Sequence, residues 1–148
     1  MRRVLGVFLL SVLFALAPGI SAQGPSADAS LDREPDSGFT LGQNYPNPFN
    51  PETRIPFELH EDLFSDGGTV VVSVRIYNVL LQPVGSPVAL NHISGQVPLI
   101  DLEYLSPGRH EAYWDGLDQY GGEVAAGTYF IVFTVNGAQT VRRIFVAK

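Results

Sequence analysis

A chain of 148 residues that is 45% hydrophobic and 16% charged has the composition of one folding domain with room for a tail, well clear of disordered chains. Its net charge of −6 excludes the basic surface of a nucleic-acid binder and argues against adhesion to anionic lipid. It has no cysteine, so disulfides and a lipidated cysteine are both excluded and a packed core must supply the stability.

Residues 1–22 read as a secretory signal peptide. Arg2 and Arg3 precede an apolar run over 4–17, Pro18-Gly19 breaks it, and Ile20-Ser21-Ala22 suits cleavage. The run is short of the ~20 apolar residues that span a bilayer, so no stable membrane insertion is expected after cleavage. Removing 1–22 takes away two arginines and no acid, which leaves seven basic against 15 acidic residues and a charge of −8. Residues 23–38 are rich in Ser, Ala, Asp, Pro and Gly, with Leu31 as the one sizeable apolar residue, and read as a flexible linker.

The domain proper is 39–148, with six basic and 11 acidic residues and a charge of −5. It opens on Tyr45-Pro46-Asn47-Pro48-Phe49-Asn50-Pro51, where each proline fixes φ, the asparagines can bond nearby backbone, and Tyr45 and Phe49 are expected to anchor the segment on the core. The spacing of Ile55, Phe57 and Leu59 predicts a strand over 53–59, and Pro56 predicts for it an edge position or a bulge. Residues 60–69 form a polar loop. Over 70–78, Val70, Val72, Val74 and Ile76 share one face of the clearest strand. Further strands are predicted over 87–90, 97–102 and 109–114.

Trp114-Asp115-Gly116 closes the 109–114 strand. Trp114 is a core residue whose indole N–H needs a partner, Asp115 caps the turn, and Gly116 takes a conformation closed to other residues. After Gly121-Gly122, Gly127 leads into a strand over 128–136. It is apolar on both faces, Tyr129 among its residues, and so belongs in the middle of a sheet. Asn136-Gly137 marks a tight hairpin into a last strand over 139–146. About seven short strands and no sustained helical period predict an all-β, immunoglobulin-like sandwich of antiparallel strands.

These stretches resemble the C-terminal sorting domains (type A) of the type IX secretion system, which are akin to the immunoglobulin-like domain of the flagellar hook-cap protein. The resemblance rests on the ordered run Leu41-Gly42-Gln43-Asn44-Tyr45 through Pro51, then Thr53, Ile55, Phe57 and Leu59, then Val74, Ile76, Tyr77 and Asn78. It continues from Trp114 to Phe130 and ends on Arg142-Arg143-Ile144-Phe145-Val146-Ala147-Lys148. Three features depart from the family's pattern: Leu80-Leu81 where it has a glycine-containing turn, Leu117 at a usually polar position, and the long 60–69 loop.

The resemblance implies a non-enzymatic domain, exported through the periplasm and then secreted or held at the cell surface. It would be recognised by the outer-membrane translocon through its sandwich surface and its basic tail of Arg142, Arg143 and Lys148. Such a domain follows a cargo, and only the 23–38 linker stands before it here, so a missing cargo, a self-exported domain and a stand-alone module are all open. The alternative from another class is a structural or adhesive module of the cell envelope, similar in its assembly role to the hook-cap domain.

No cofactor is expected. His60, His92 and His110 stand far apart in sequence, and there is no Gly-x-Ser-x-Gly elbow. Asp115, Asp118 and Glu123 supply the oxygens that Ca²⁺ takes, without the spacing of an EF-hand. With Tyr113 and Tyr120 they define a third reading, a sugar- or metal-binding face. For the tail, edge-strand charge that blocks aggregation competes with the receptor contact.

Overall fold

The computed structural model describes residues 37–148, so the predicted signal peptide and all but two residues of the 23–38 linker lie outside the described residues. Alternation of apolar side chains decides the architecture. In β2 (Thr53–Leu59), β3 (Val70–Asn78), β7 (Gly108–Trp114) and β8 (Gly127–Val135) the inward residues form one shared core. Val70, Val72, Val74 and Ile76 are wholly shielded from water, as are Ile55, Ala112, Ile131 and Phe133. Burying a side chain of that size contributes about 1.5–3 kcal/mol.

Nine strands occur among the described residues, where the sequence suggests about seven. The others are β1 (Phe39–Leu41), β4 (Pro83–Gly85), β5 (Val88–Leu90), β6 (Leu102–Tyr104) and β9 (Ala138–Val146). They form an antiparallel sandwich, with β1-β2-β7-β5 in one sheet and β4-β3-β8-β9 in the other. β6 pairs with the start of β3 and so shares its outer side with β4. As its two apolar faces require, β8 lies between β3 and β9. The Asn136-Gly137 turn has φ of 47° and 87°, the primed geometry that suits the twist of two antiparallel strands.

One expectation is corrected. Residues 97–101 do not form a strand, and β6 begins only at Leu102. Pro98 has no N–H to donate and Asp101 turns the chain at φ 49°, so a ladder cannot run through them. The segment instead bridges the sheets: Leu99 N–H donates to the Pro87 carbonyl, its own carbonyl accepts from Val74, and its side chain is fully buried. Of the two places predicted for Pro56, an edge or a bulge, the structure takes the bulge, since β2 lies between β1 and β7. Its missing donor falls where the β1 ladder slips: Leu41 faces Phe57, but Tyr45 faces Arg54, which leaves one extra residue on the first strand. The polar 60–69 loop contains a short 3₁₀ turn (Glu61–Phe64), with Leu63 and Phe64 packed on the core.

The β3–β4 hairpin carries a local strain. Leu81 holds φ at 58° while its side chain is 73% exposed, so packing offers no compensation. A glycine there would relieve about 1–2 kcal/mol of left-handed strain, less about 0.5–1 kcal/mol for the extra freedom glycine has when unfolded. Leu81→Gly is therefore expected to raise stability by about 0.5–1 kcal/mol, read as a higher urea midpoint at unchanged slope.

Candidate functional site: a clasp on the β9 edge

β9 is the outer strand of its sheet and β1 the outer strand of the other, so on this flank the sandwich must be closed by something other than a ladder. The closing piece is the segment between β1 and β2, which contains the proline-rich motif. It leaves β1 at Gly42, whose N–H donates to the Pro56 carbonyl at 2.8 Å. A Cβ there would stand 2.8 Å from the Pro56 ring, so only glycine permits the approach.

Asn44 and Thr53 are the buried polar side chains among the described residues. They bond to each other at 3.1 Å, and both donate to the Pro46 carbonyl, at 3.3 and 3.0 Å. The knot fixes the start of the motif against the start of β2.

Phe49 then runs parallel to Val146. Its N–H donates to the Phe145 carbonyl at 3.0 Å, and its carbonyl accepts from Ala147 at 2.8 Å. The Asn47 side chain accepts from the Phe145 N–H at 3.1 Å. The motif thus satisfies the outward backbone groups at the end of β9, which would otherwise invite another chain. Phe49 is 1% exposed, and its ring centroid lies 5.4 Å from that of Trp114. Pro46, Pro48, Asn50 and Pro51 face solvent, and the Asn50 side chain has no partner among the described residues.

Tyr45 is not a core anchor, contrary to the sequence reading. Its backbone pairs with Arg54 in an exposed register, and that turns the ring onto the outer face of β2 and β7. There it is 46% exposed and its hydroxyl donates to Glu111, which raises the phenol's pKa.

The tryptophan loop meets the same clasp. The Trp114 N–H donates to the Leu117 carbonyl at 2.9 Å, Asp115 accepts from the Leu117 N–H, and Tyr129 packs at 6.1 Å with its hydroxyl on the Ala125 carbonyl. Gly116 has φ 76°, and a Cβ on it would fall 2.2 Å from the Pro51 carbonyl oxygen. Gly121 turns its loop at φ 83° and Gly127 enters β8 at φ 144°, both in open space. The three stretches singled out in the sequence therefore converge on one corner.

The basic tail divides three ways. Arg142 points between the sheet edges and donates to the Leu41 carbonyl at 2.7 Å and to Gln43, a structural tie. Lys148 pairs with Glu123 at 3.0 Å. Arg143 faces solvent, lying over the Phe145 ring at 5.3 Å. The acidic loop is likewise committed: Asp118 accepts from the backbone of Tyr120 and Gly122, and Asp115 and Glu123 are engaged as above. Among the described residues no cluster of three or more acidic, histidine or cysteine side chains is placed to hold a metal. Tyr120 is 87% exposed on the loop, while Tyr113 donates to Glu52 on the sheet face.

One cluster was not legible in the spacing. His110 lies with its ring centroid 4.5 Å from that of Tyr104, and His92 at 4.9 Å on the same phenol. Burial without a partner pushes Tyr104 up to about 12. Burial also lowers His110, with His92 adding to that and a backbone bond to Ser106 opposing it. An unfolded His110 takes a proton near pH 6.5 but the folded one does so only at lower pH, so its contribution is complete above about 6.5 and is lost as pH falls below. The urea midpoint is expected to drop between pH 7 and pH 5, with a smaller drop in His110→Phe.

No family model matches the chain, and no curated protein matches it. Among solved structures it is similar to dimeric latent PorU from Porphyromonas gingivalis, at 23% identity and a TM-score of 0.48, over 74% of this chain and 9% of that one. The chain thus spans less than a tenth of the length of that protein.

Proposed function

We propose that this chain is a non-enzymatic exported domain that serves as a sorting signal for the type IX translocon of the outer membrane. The observation that carries the reading is the packing of Leu41 to Pro51, Trp114 to Phe130 and Arg142 to Lys148 into one clasp, these being the stretches that resemble the sorting-domain pattern. Residues scattered over 108 positions of sequence serve a single corner, so the pattern describes a folded shape and not a linear address. The export machinery would accordingly read the folded sandwich in the periplasm and pass it to the surface or the medium.

The test is an export assay. Residues 1–38 are fused to a reporter and residues 39–148 appended, in a host with and without intact translocon genes. The reporter is expected at the surface only with the genes intact. Retention in the periplasm of the intact host would overturn the reading and favour an envelope-assembly module.

A further inference from the structure

We infer that the outer face of the β3-β8-β9 sheet is the docking surface for an acidic partner protein. Alternation turns Arg75 and Tyr77 of β3, Phe130 and Val132 of β8, and Val141, Arg143 and Phe145 of β9 away from the core. The register sets Tyr77, Phe130 and Arg143 in one row and Arg75, Val132 and Val141 in the next. Val141 is 59% exposed and Phe145 38%, a concentration of apolar and aromatic surface that marks interfaces more often than bare exterior.

Charge identifies the occupant. Of the six cations in 39–148, Arg54 pairs with Glu111, Arg109 with Glu58 and Lys148 with Glu123, and Arg142 is held by the Leu41 carbonyl. Arg75 and Arg143 have no carboxylate or hydrogen-bond acceptor among the described residues, and both lie on this face. The acids nearest in register are Asp101, held by Ser73 in the row next to that of Arg75, and Glu103, opposite Val71 one row further on; neither forms an ion pair with Arg75. In a domain of charge −5, this is the side that an anionic surface can approach.

Two grooves, one over the β2-β7 face and one beside the 118–125 loop, lie away from the Arg75 and Arg143 rows. The clasp covers the end of the β9 edge, so beside Phe145 a partner meets the face instead of adding a strand. Two cations are few for an anionic membrane.

This proposal rests on the sorting reading, and two arms keep their failures apart. In the export fusion, R75E/R143E is expected to lower surface reporter by about tenfold or more, the loss of some 1.4 kcal/mol of attraction, R75E and R143E singly are each expected to lower it, and the single reversal R109E on the opposite face stays near wild type, while all variants keep their melting temperature. In parallel, a photo-crosslinking residue is placed at Val141 or at Tyr113. A protein adduct is expected from position 141 alone, and R75E/R143E should abolish it. Translocon-dependent export that ignores R75E/R143E overturns the docking face and spares the sorting reading. Translocon-independent export defeats the sorting reading, and the adduct then decides: present and charge-dependent, the face stands; absent, to lipid, or of twice the domain mass, it falls.

Discussion

Phe49→Ala is expected to cost about 3–5 kcal/mol, the range for removing a fully buried phenylalanine. The ring is 1% exposed and packs on Trp114, and the backbone around it carries two bonds to β9. The cavity would open at the one corner where both sheets and the motif meet, so collapse is restricted from every side. Against a total of about 5–15 kcal/mol, such a loss would unfold a large share of the protein at moderate urea. Tyr45→Ala is the internal comparison. Its ring is nearly half exposed and lies on the outer sheet face, so about 1 kcal/mol or less is expected. Urea denaturation of the chain from residue 23 onward measures both. A Phe49→Ala cost no larger than that of Tyr45→Ala would show that the motif is not anchored through Phe49.

Gly116→Ala should be the second most damaging of these changes, at about 2 kcal/mol or more. Left-handed backbone alone costs a residue with a Cβ about 1–2 kcal/mol. The new carbon would also stand 2.2 Å from the Pro51 carbonyl oxygen, and that oxygen is backbone, so the motif itself must move. Gly121→Ala separates the two causes, because its φ of 83° is similar and nothing lies within 4 Å of the added atom. It should lose only the conformational part, about 1–2 kcal/mol. If the two alanine variants melted alike, contact between the tryptophan loop and the motif would carry no weight in the fold.

Much of the fold was legible because strand pleating is a local property. Val70 to Ile76 alternate in the sequence and alternate in burial, and the doubly apolar 128–136 stretch became the strand flanked on both sides. Trp114, Asp115 and Gly116 were also readable, since an indole donor, an Asx cap and a positive-φ glycine act within three residues of each other. Residues 97–102 misled for the opposite reason. Their hydrophobicity reflects Leu99 buried between sheets, a demand that periodicity cannot distinguish from that of a strand.

The candidate site was legible only in part. Tyr45 and Phe49 look alike in sequence, but the first follows an exposed register along β2 and the second reaches β9. Arg142 and Arg143 are neighbours, yet one residue of pleat sends the first between the sheets and the second to solvent. The His92, Tyr104 and His110 cluster was invisible because its members come from different strands and loops.

The sequence by itself determined which side of each main strand turns inward, where the turns fall, and that an acidic, cysteine-free domain must stand on its core. Only the tertiary structure decided that the motif closes the end of the β9 edge and that Arg75 and Arg143 are the cations left without an acidic partner among the described residues. The reason is range: pleat and turn geometry act over two to four residues, whereas Asn47 meets Phe145 across 98 positions and Arg142 meets Leu41 across 101. Contacts of that length are set by how the two sheets stack, and no local pattern records it.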